Sequence, residues 1–366
     1  MAQFAYVGCW TSTGRNARGR GIAVYQIDAV GDWLLIQTVE PVQANPSWLT
    51  LNKQQSLLHA VHGDGNLLAT YRRHPASGVL TLLGTQSTGP KNTHSALDPA
   101  KRNNPAHVAY DPAEHYLLVA NHEAGNLAVL PIGDEGRPMS ARAWIPIPGH
   151  GSQRSSSLSR PHEIVFDHEG RHFAVPIQGR RAGDGIDMLR IYAFDDGQCT
   201  LTDDIHLAVG SWPRHVDFHP NGRFLYMLCE LSNAIEVYAY DGASGTLALR
   251  QSLSSVPSDY TGHSDASEIE VHPNGRFLYA ANRGHDSIGI FRIDAASGSL
   301  AAVGWVSCGG KTPRATAFSP DGLFFYSANE ESDTLTEFSV DTQSGILAST
   351  GRAINTPSPS CIVFAG

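Results

Sequence analysis

The sequence predicts an all-β protein with the fold of a seven-bladed β-propeller, and three observations support this prediction. The octapeptide HPNGRFLY occurs twice, at His219–Tyr226 and at His272–Tyr279, 53 positions apart. Weaker copies of the same unit recur at intervals of 46 to 59 residues, the length of four short strands with their turns. Finally, each end of the chain holds part of a unit, and the two parts together complete one.

A proline or its equivalent opens each unit, and most units have a turn glycine nine residues later. The unit then reads as four strands, for example HVDFH, FLYMLC, AIEVYAYD and TLALRQ. Val, Ile, Phe and Tyr suit a pleated sheet, and NG and DG supply the positive φ that tight turns require. HPNGRFLY is therefore a hairpin corner, and we expect its histidines to be structural. The seven opening residues, called register marks below, are Pro46, Pro105, Pro161, Pro213, Ala266, Pro313 and Pro359.

The N-terminus is predicted to complete the last unit. After Pro359 the chain has room for one strand, PSCIVFA. Residues 4–10, 20–28 and 32–40 match the second, third and fourth strands of a unit. Pairing both ends in one sheet closes a ring of four-stranded blades and leaves few exposed edges. We therefore expect residues 1–366 to form a single propeller domain.

Composition argues against several classes of partner. The net charge of -9 disfavours binding to nucleic acid or to an acidic membrane surface. No apolar run approaches the ~18 residues of a membrane span, and the N-terminus does not read as a signal peptide. We therefore expect a cytoplasmic protein that is a monomer or a weak homo-oligomer.

Familiar cofactor and metal motifs are absent from the sequence. The 5 cysteines are odd in number, dispersed and without CxxC spacing, which favours neither a disulfide framework nor a zinc site. GxSxG, HExxH, P-loop and Rossmann-type GxGxxG motifs are also missing. Distant blades could still assemble a metal site, but the arginines described next favour an organic anion. We predict no cofactor and no metal.

Hairpin geometry places the start of each first strand and the end of each second strand on one face, beside the central channel. The side chains at that face vary from blade to blade and are rich in Arg, His and Glu, which suits an anionic polar ligand. The corners of the opposite face are ordinary solvated turns. Strand starts supply His107, His162, Glu163, Arg214, His215, Ser267, Glu268 and Arg314. Strand ends, 17 residues after each mark, supply Gly63, His122, Gln178, Glu230, Arg283 and Glu330, with Trp10 equivalent in the closing blade.

A structural role is the alternative for several of these residues. Glu268 and Glu330 could form ion pairs between blades, and His107 and His215 could hydrogen-bond between blades. A second set is preferred for chemistry because its members occupy successive blades and combine a base, cations and a carboxylate. That set is His162, Arg214, Glu230 and Arg283.

Three further segments are predicted to enter the same face. The connections 89–104 and 149–160 are longer than a strand-to-strand link requires, and we expect them to act as flaps over the channel. An enlarged loop after the second strand of blade 4, QGRRAGDGID, adds Arg180 and Arg181.

Three stretches carry a resemblance to a known family. WPRHVDFHPNGRFLYMLCELSNAIEVY, SEIEVHPNGRFLYAANRGHDSIGIFRID and GGKTPRATAFSPDGLFFYSANEESDTLTEF resemble the seven-bladed propeller lactonases, which include bacterial 6-phosphogluconolactonase and fungal carboxymuconate cyclases. The resemblance spans essentially the whole chain, and its most specific motifs are NRGHDSI at Asn282–Ile288 and PRH at Pro213–His215. It implies lactone chemistry at the polar face, with family site residues falling on His162, Arg214, Glu230 and Arg283.

The chain departs from the family pattern at three places. Ser159-Arg160 stands where the family often has a second histidine ahead of the PH dipeptide. Ile177-Gln178-Gly179 stands where DLG is common, and Glu330 stands where the family commonly has glutamine. The identity of the substrate is therefore less firmly implied than the reaction class.

The resemblance and the residue set together predict hydrolysis of a sugar-acid lactone, with 6-phosphogluconolactone as the leading candidate. Arg214 and Arg283, with Arg314 as an optional third cation, would bind the substrate's phosphate or carboxylate and polarise the carbonyl. His162 or Glu230 would take a proton from water. The predicted substrate-binding residues are His107, His122, Glu163, Gln178, His215, Glu268, Arg314 and Glu330. The alternatives are a carboxymuconate cyclase-type lactonising enzyme and a non-catalytic propeller that binds a ligand or a protein.

Overall fold

A computed structural model of the chain describes residues 3–89, 103–149, 159–179 and 185–366. Nearly all of its regular structure is antiparallel β-strand, arranged in seven sheets within these residues. Two single-turn 3₁₀ helices, Thr13–Arg15 and Asp134–Gly136, lie in connections. This confirms the predicted all-β, seven-bladed fold.

The strands are numbered β1 to β29 in chain order, and the blades from the one that contains β1. Blade 1 consists of β1 (Gln3–Cys9), β2 (Ile22–Ile27), β3 (Trp33–Val39) and β29 (Pro359–Ala365). Blade 2 consists of β4 (Pro46–Leu51), β5 (Leu57–His62), β6 (Leu67–Arg73) and β7 (Leu80–Ser87). Blade 3 consists of β8 (Pro105–Tyr110), β9 (Tyr116–Asn121), β10 (Asn126–Pro131) and β11 (Ala143–Pro146). Blade 4 consists of β12 (Arg160–Pro161), β13 (Val165–Phe166), β14 (His172–Gln178), β15 (Met188–Asp195) and β16 (Gln198–His206).

The remaining three blades are more regular. Blade 5 consists of β17 (Pro213–Phe218), β18 (Phe224–Cys229), β19 (Ala234–Asp241) and β20 (Thr246–Ser254). Blade 6 consists of β21 (Asp265–Val271), β22 (Phe277–Arg283), β23 (Ser287–Ile293) and β24 (Leu300–Ser307). Blade 7 consists of β25 (Pro313–Phe318), β26 (Phe324–Asn329), β27 (Thr334–Val340) and β28 (Leu347–Asn355).

Blade 4 departs from the prediction of four strands because its first strand is interrupted. The short strands β12 and β13 both pair with β14, which gives this sheet five strands. Pro161 pairs with Ile177 and Val165 with Ala174, so three residues oppose two between these pairs. The extra residue lies next to His162, whose backbone N–H still donates to Pro176 at 3.0 Å.

The two ends of the chain close the ring as predicted. β1 pairs with β2 on one side and with β29 on the other, from Phe4 opposite Ala365 to Cys9 opposite Pro359. Both partners are antiparallel to β1, so the closing blade has the same strand order as the others. A ring closed in this way leaves only short strand edges, and the inner ones face the central channel.

Apolar side chains pack neighbouring blades against each other. Between blades 5 and 6, one buried cluster includes Phe224, Tyr226, Ile269, Leu278 and Phe291. Burying each such large side chain contributes about 1.5–3 kcal/mol. Packing between separate sheets therefore makes a major contribution to holding the ring together.

The two HPNG corners are joined to the corners of the next blades. Nε2 of His219 donates to the carbonyl oxygen of Gly275 at 2.7 Å, and Nδ1 accepts from the backbone N–H of Asn221 at 3.0 Å. Nε2 of His272 donates likewise to Gly322 at 3.0 Å. Gly275 has a φ of 71°, which an L-residue with a side chain rarely adopts. These histidines hold turns at the face opposite the polar strand starts.

Candidate active site

A cavity of about 170 Å³ opens where the first strands begin. Because a water molecule occupies about 30 Å³ of liquid, the cavity has room for a small organic molecule. Its wall includes the residue that follows the register mark in six of the seven blades. These residues are Ser47, Ala106, His162, Arg214, Arg314 and Ser360.

A β-bulge after each register mark sets the direction of these residues. In blade 5, Pro213 pairs with Cys229 and His215 with Leu228, so Arg214 is an extra residue in its strand. The register shifts at the same place in blades 1, 2, 3, 6 and 7. Bulges re-aim side chains and often occur beside active sites. Two consecutive residues can therefore face the channel. We call the first of each pair the upper layer and the second the lower layer.

Glu230 connects two arginines behind the upper layer. Its Oε1 accepts from Nη2 of Arg283 and its Oε2 from Nε2 of Gln178, both at 2.7 Å. Nε of Arg214 lies 3.8 Å from Oε2. Burial would raise the pKa of Glu230, but the charges of Arg283 and Arg214 and the two hydrogen bonds lower it to about 2. Glu230 is therefore an ionised carboxylate with little tendency to take up a proton.

Arg214 provides a buried cation in the cavity wall. One of its Nη1 protons is donated to the backbone oxygen of Ser267 in blade 6. Burial, together with the charge of Arg283, lowers the pKa of Arg214 to about 9, although Glu230 opposes the shift. The guanidinium therefore stays charged at neutral pH and can stabilise negative charge on a bound molecule.

Three histidine rings line the cavity beside this cation. The ring of His162 lies 5.0 Å from that of His215 and 5.5 Å from that of His122. Burial, and then the charge of Arg214, keeps the pKa of His162 well below its ordinary value of 6.5. Nε2 of His122 donates to Oε1 of Gln178 at 3.1 Å, and burial lowers the pKa of His122 to about 4. His162 is thus a neutral imidazole at physiological pH, and Nδ1 has no hydrogen-bond partner among the described residues.

The lower layer is a buried set of carboxylates and imidazoles. His215 bonds to Glu268 through Nδ1, which also lies 3.5 Å from Oε1 of Glu163. The same oxygen of Glu163 lies 3.9 Å from Nε2 of His107, whose ring packs on Trp48 at 4.5 Å. Burial raises the pKa of Glu163 well above its ordinary value and that of Glu268 to about 8. These side chains support the upper layer from below.

Part of the lower layer has the donor set of a metal site. One ligand atom from each of Glu163, His215 and Glu268 lies within 4.8 Å of the others. Two carboxylates and an imidazole are donors that Mn²⁺ or Zn²⁺ accept. The hydrogen bond between His215 and Glu268 also gives these residues a structural role without an ion.

A second group of cations lies on the side of the cavity formed by blades 7 and 1. Nη1 of Arg314 donates to Oε2 of Glu330 at 3.0 Å, and its guanidinium lies 4.8 Å from the centre of the Trp10 ring. The guanidinium of Arg15 lies 4.0 Å from the same ring and donates to both oxygens of Asp64. Both arginines line the cavity.

The structure brings most of the predicted site residues to one cavity. Those in its wall are His122, His162, Gln178, Arg214, His215, Glu230 and Arg314. Arg283 and Glu330 bond to wall residues, and His107, Glu163 and Glu268 form the lower layer. The sequence predicted that these residues share one face, but it did not distinguish the cavity wall from the lower layer.

Some wall residues were not predicted. Ser47, Trp48, Ala106 and Ser360 occupy the same strand-start offsets, but the predicted set of strand starts omitted them although it included Ser267. Arg15, Asn104 and Trp212 lie in connections, where no repeat offset applies. Residues 90–102 and 150–158 of the predicted flaps, and the predicted Arg180 and Arg181, lie outside the described residues.

The position that departs from the family pattern ahead of the PH dipeptide has a structural explanation. Ser159 is buried, and its hydroxyl donates to the carbonyl oxygen of Pro148 at 2.8 Å. The hydroxyl oxygen of Ser159 also accepts the backbone N–H of Ile186 at 2.7 Å. Ser159 thus ties together two connections at this face. Arg160 pairs with Glu123 of blade 3 at 2.8 Å.

Comparisons with known proteins agree with this architecture. A family model described as "Lactonase, 7-bladed beta-propeller" matches residues 4–364. A 6-phosphogluconolactonase of Bacillus subtilis is 31% identical over 316 residues, which cover 86% of this chain and 84% of the relative. A 6-phosphogluconolactonase of Pectobacterium carotovorum is 28% identical and covers 83% of this chain and 81% of its own length. The crystal structure of a periplasmic gluconolactonase from Pseudomonas aeruginosa superimposes with a TM-score of 0.86 at 28% identity, covering 100% of this chain and 99% of the other.

No helix in the described part of the chain has the length and apolar character needed to cross a bilayer.

Proposed function

The chain belongs to the seven-bladed β-propeller lactonase family of lactone hydrolases, and on this premise we propose that it hydrolyses 6-phosphogluconolactone to 6-phosphogluconate. Relatives that bear the name 6-phosphogluconolactonase support this substrate. One observation carries the proposal. A neutral imidazole, His162, and a buried cation, Arg214, share the wall of one cavity with the carboxylate of Glu230.

His162 is the proposed general base. The imidazole lacks a proton at neutral pH because burial and the charge of Arg214 depress its pKa. The two oxygens of Glu230 already accept hydrogen bonds from Arg283 and Gln178, whereas Nδ1 of His162 has no partner among the described residues. His162 removes a proton from water as the water oxygen attacks the lactone carbonyl carbon.

Arg214 stabilises the tetrahedral oxyanion that this attack creates. Its charge is buried and held in place before the reaction, so little reorganisation is needed as negative charge develops. The bond between the carbonyl carbon and the ring oxygen then breaks, and the imidazolium of His162 returns its proton to the departing alkoxide. The products are a carboxylic acid, which ionises, and a free hydroxyl group. Glu230 and Arg283 position Arg214 and contribute to the field around the carbonyl.

The decisive experiment compares hydrolysis of 6-phosphogluconolactone and glucono-1,5-lactone, each corrected for spontaneous opening. We expect the wild type to accelerate hydrolysis and Arg214→Ala to lose ~10²-fold or more in turnover, the usual effect of losing an oxyanion donor. Arg250→Ala is the control because Arg250 is exposed on β20 of the same blade. Full activity in Arg214→Ala would remove this residue from the mechanism. Conversion of a muconate without hydrolysis of either lactone would indicate a cyclase instead.

The cytoplasmic location and the monomeric or weakly homo-oligomeric state of the protein stay predictions from composition. Cytoplasmic residence would be consistent with an intracellular phosphorylated substrate, and sedimentation of the purified protein would test the predicted monomer or weak homo-oligomer.

A further inference from the structure

The cavity has two groups of charged side chains from different parts of the ring. Blades 4, 5 and 6 supply His162, Arg214 and Arg283. Blades 7 and 1 supply Arg314 and Arg15. In a ring of seven blades in chain order, blade 1 lies across the channel from blades 4 and 5, and blade 7 lies across from blades 3 and 4. A ligand whose carbonyl lies between His162 and Arg214 can therefore extend across the channel to Arg15 and Arg314.

Trp10 holds both guanidinium groups of this second side. They lie 4.0 and 4.8 Å from the centre of its ring, within the range in which a cation is attracted to an indole face. Trp10 is only 4% exposed, so its ring is a fixed support. Gly63 of blade 2 makes room for it, because a Cβ atom there would lie 2.9 Å from Cζ3 of the indole.

Carboxylates orient both arginines without using all of their donors. Nε and Nη2 of Arg15 point to Asp64, and Nη1 of Arg314 points to Glu330. Within the described ranges, Nη1 of Arg15 and the Nε and Nη2 groups of Arg314 have no hydrogen-bond partner. The amide of Asn104, which also lines the cavity, accepts from the backbone of Asp64 at 2.9 Å and leaves its own N–H₂ without a described partner.

Such a group of donors suits a tetrahedral oxyanion with several acceptor oxygens. A phosphate monoester carries a charge of about −1.5 to −2 at neutral pH and three strong acceptor oxygens. Guanidinium groups match such oxygens in geometry, and charge-assisted hydrogen bonds are roughly twice as strong as neutral ones. A neutral sugar hydroxyl would gain much less from two cations.

We propose that Arg15 and Arg314, supported by Trp10, form a subsite that binds the phosphate on the far end of a lactone substrate. Arg314 is one of the predicted substrate-binding residues, whereas Arg15 follows no repeat position. The placement of the lactone carbonyl beside Arg214 rests on the proposed function. Given that placement, the subsite favours phosphorylated lactones over unphosphorylated ones.

The test measures the binding of two products, 6-phosphogluconate and gluconate, by calorimetry to the wild type and to Arg15→Gln. We expect Kd for 6-phosphogluconate to rise about 10- to 100-fold in the variant, which corresponds to the loss of a hydrogen bond to a charged group. Kd for gluconate should not change. Arg20→Gln is the matched control, because Arg20 lies in the same connection, is 77% exposed and pairs at 3.9 Å with Glu40.

Equal affinity of Arg15→Gln and Arg20→Gln for 6-phosphogluconate would overturn the subsite, as would wild-type protein that binds the two products equally. Circular dichroism of each variant separates a local effect from misfolding. Asp64→Asn is a second variant, which weakens the hold on Arg15 without removing the charge of Arg15. The binding measurement requires no turnover. Failure of lactone hydrolysis with intact selective binding would therefore contradict the proposed function and leave the subsite supported.

Discussion

The imidazole of His162 lies in a row of three histidine rings, with His215 on one side and His122 on the other. Burial is the main reason that its pKa is depressed, and the charge of Arg214 adds to the effect. A base must be neutral to act, so activity is lost only when the pH falls through this lowered pKa. We therefore expect the acid limb of kcat/KM, which reports the free enzyme, to lie well below pH 6.5, the ordinary value for histidine.

His162→Gln should lower kcat by ~10²–10⁴-fold, the usual contribution of a positioned base. The acid limb should disappear with it, because the titrating group has been removed. Stopped-flow or pH-stat measurement of kcat and of kcat/KM against pH tests both points. His206→Gln is the control, since His206 lies in the outer strand of the same blade and is 59% exposed. A variant that keeps the wild-type acid limb would show that another group is the base.

Glu230 is a stability determinant as well as a site residue. It is 15% exposed and neutralises Arg283 and Arg214, which are 14% and 5% exposed. Removing one partner of a buried pair leaves an uncompensated charge, which costs roughly 3 kcal/mol. We expect Glu230→Gln to lower the free energy of unfolding at pH 7 by about this amount, as measured by urea titration. Glu331→Gln is the control, because Glu331 is exposed.

The pH dependence of this effect has a definite sign. The pKa of Glu230 falls from its ordinary 4.5 to about 2 on folding, so the ionised form stabilises the native state at all pH values above 4.5. This contribution is lost as the pH falls from 4.5 towards 2. The difference in stability between wild type and Glu230→Gln should therefore shrink across that range. A difference that is constant between pH 7 and pH 3 would contradict the lowered pKa.

At the residue scale, strand offsets predicted the site better than residue type did. His162 and Arg214 follow their register marks directly, and Glu230 ends the next strand, so hairpin geometry was enough to bring them together. The separation of His215 from Arg214 into different layers could not be predicted, because it depends on a bulge. A bulge is a property of two paired strands, and the sequence of one strand does not define it. Arg15 has no such offset and was missed.

At the scale of single elements, the HPNG corner explains why the same octapeptide serves two blades. His219 and His272 each bond to the turn glycine of the next blade, 56 and 50 residues away along the chain. The corner therefore contributes to contacts between blades as well as to its own hairpin. The sequence predicted a structural role for these histidines, but their partners lie in other units and could not be read from one repeat.

Replacement of either histidine by alanine should therefore destabilise the ring without affecting the reaction. Each variant loses one hydrogen bond between blades and leaves a carbonyl without its partner, so a loss of about 1–3 kcal/mol is expected. Thermal unfolding measures this loss, and kcat/KM should be unchanged because the corners lie on the face away from the cavity. His263→Ala, at a site where the side chain is 79% exposed, is the control. A fall in kcat/KM with unaltered stability would contradict a purely structural role.

For the whole molecule, charge is distributed unevenly between the mouth and the remaining surface. The chain has a net charge of -9, yet Arg15, Arg214 and Arg314 line one cavity. The wall also holds the carboxylate of Glu230, but its three arginines leave a local excess of positive charge, which attracts an anionic ligand even when the average field is opposite. That composition disfavours polyanion partners stays a prediction, and the arrangement of seven blades was needed to show the local cationic site.

Closure of the ring through β1 and β29 is the feature on which the whole assembly depends. Phe4 opposite Ala365 begins a pairing that runs the length of both strands, and a Cβ atom on Gly366 would lie 3.3 Å from Cα of Gln3. The two ends are therefore adjacent, and a short glycine-serine linker can join them. The exposed turn between β19 and β20, at Ala243 and Ser244, is then a suitable place for new ends.

Such a circular permutant should keep wild-type kcat/KM, since its new ends lie in the outer hairpin of blade 5 while Arg214 and Glu230 belong to the inner one. Its Tm should be close to that of the wild type, because the entropic cost of pairing the two chain ends moves from β1 and β29 to β19 and β20. Deletion of residues 358–366 is the contrasting variant. It removes β29, exposes the edge of β1 and opens the apolar cluster that contains Cys361 and Ala365, so we expect aggregated or unfolded protein. A deletion variant with native Tm and activity would mean that six complete blades hold the site in place without closure of the seventh.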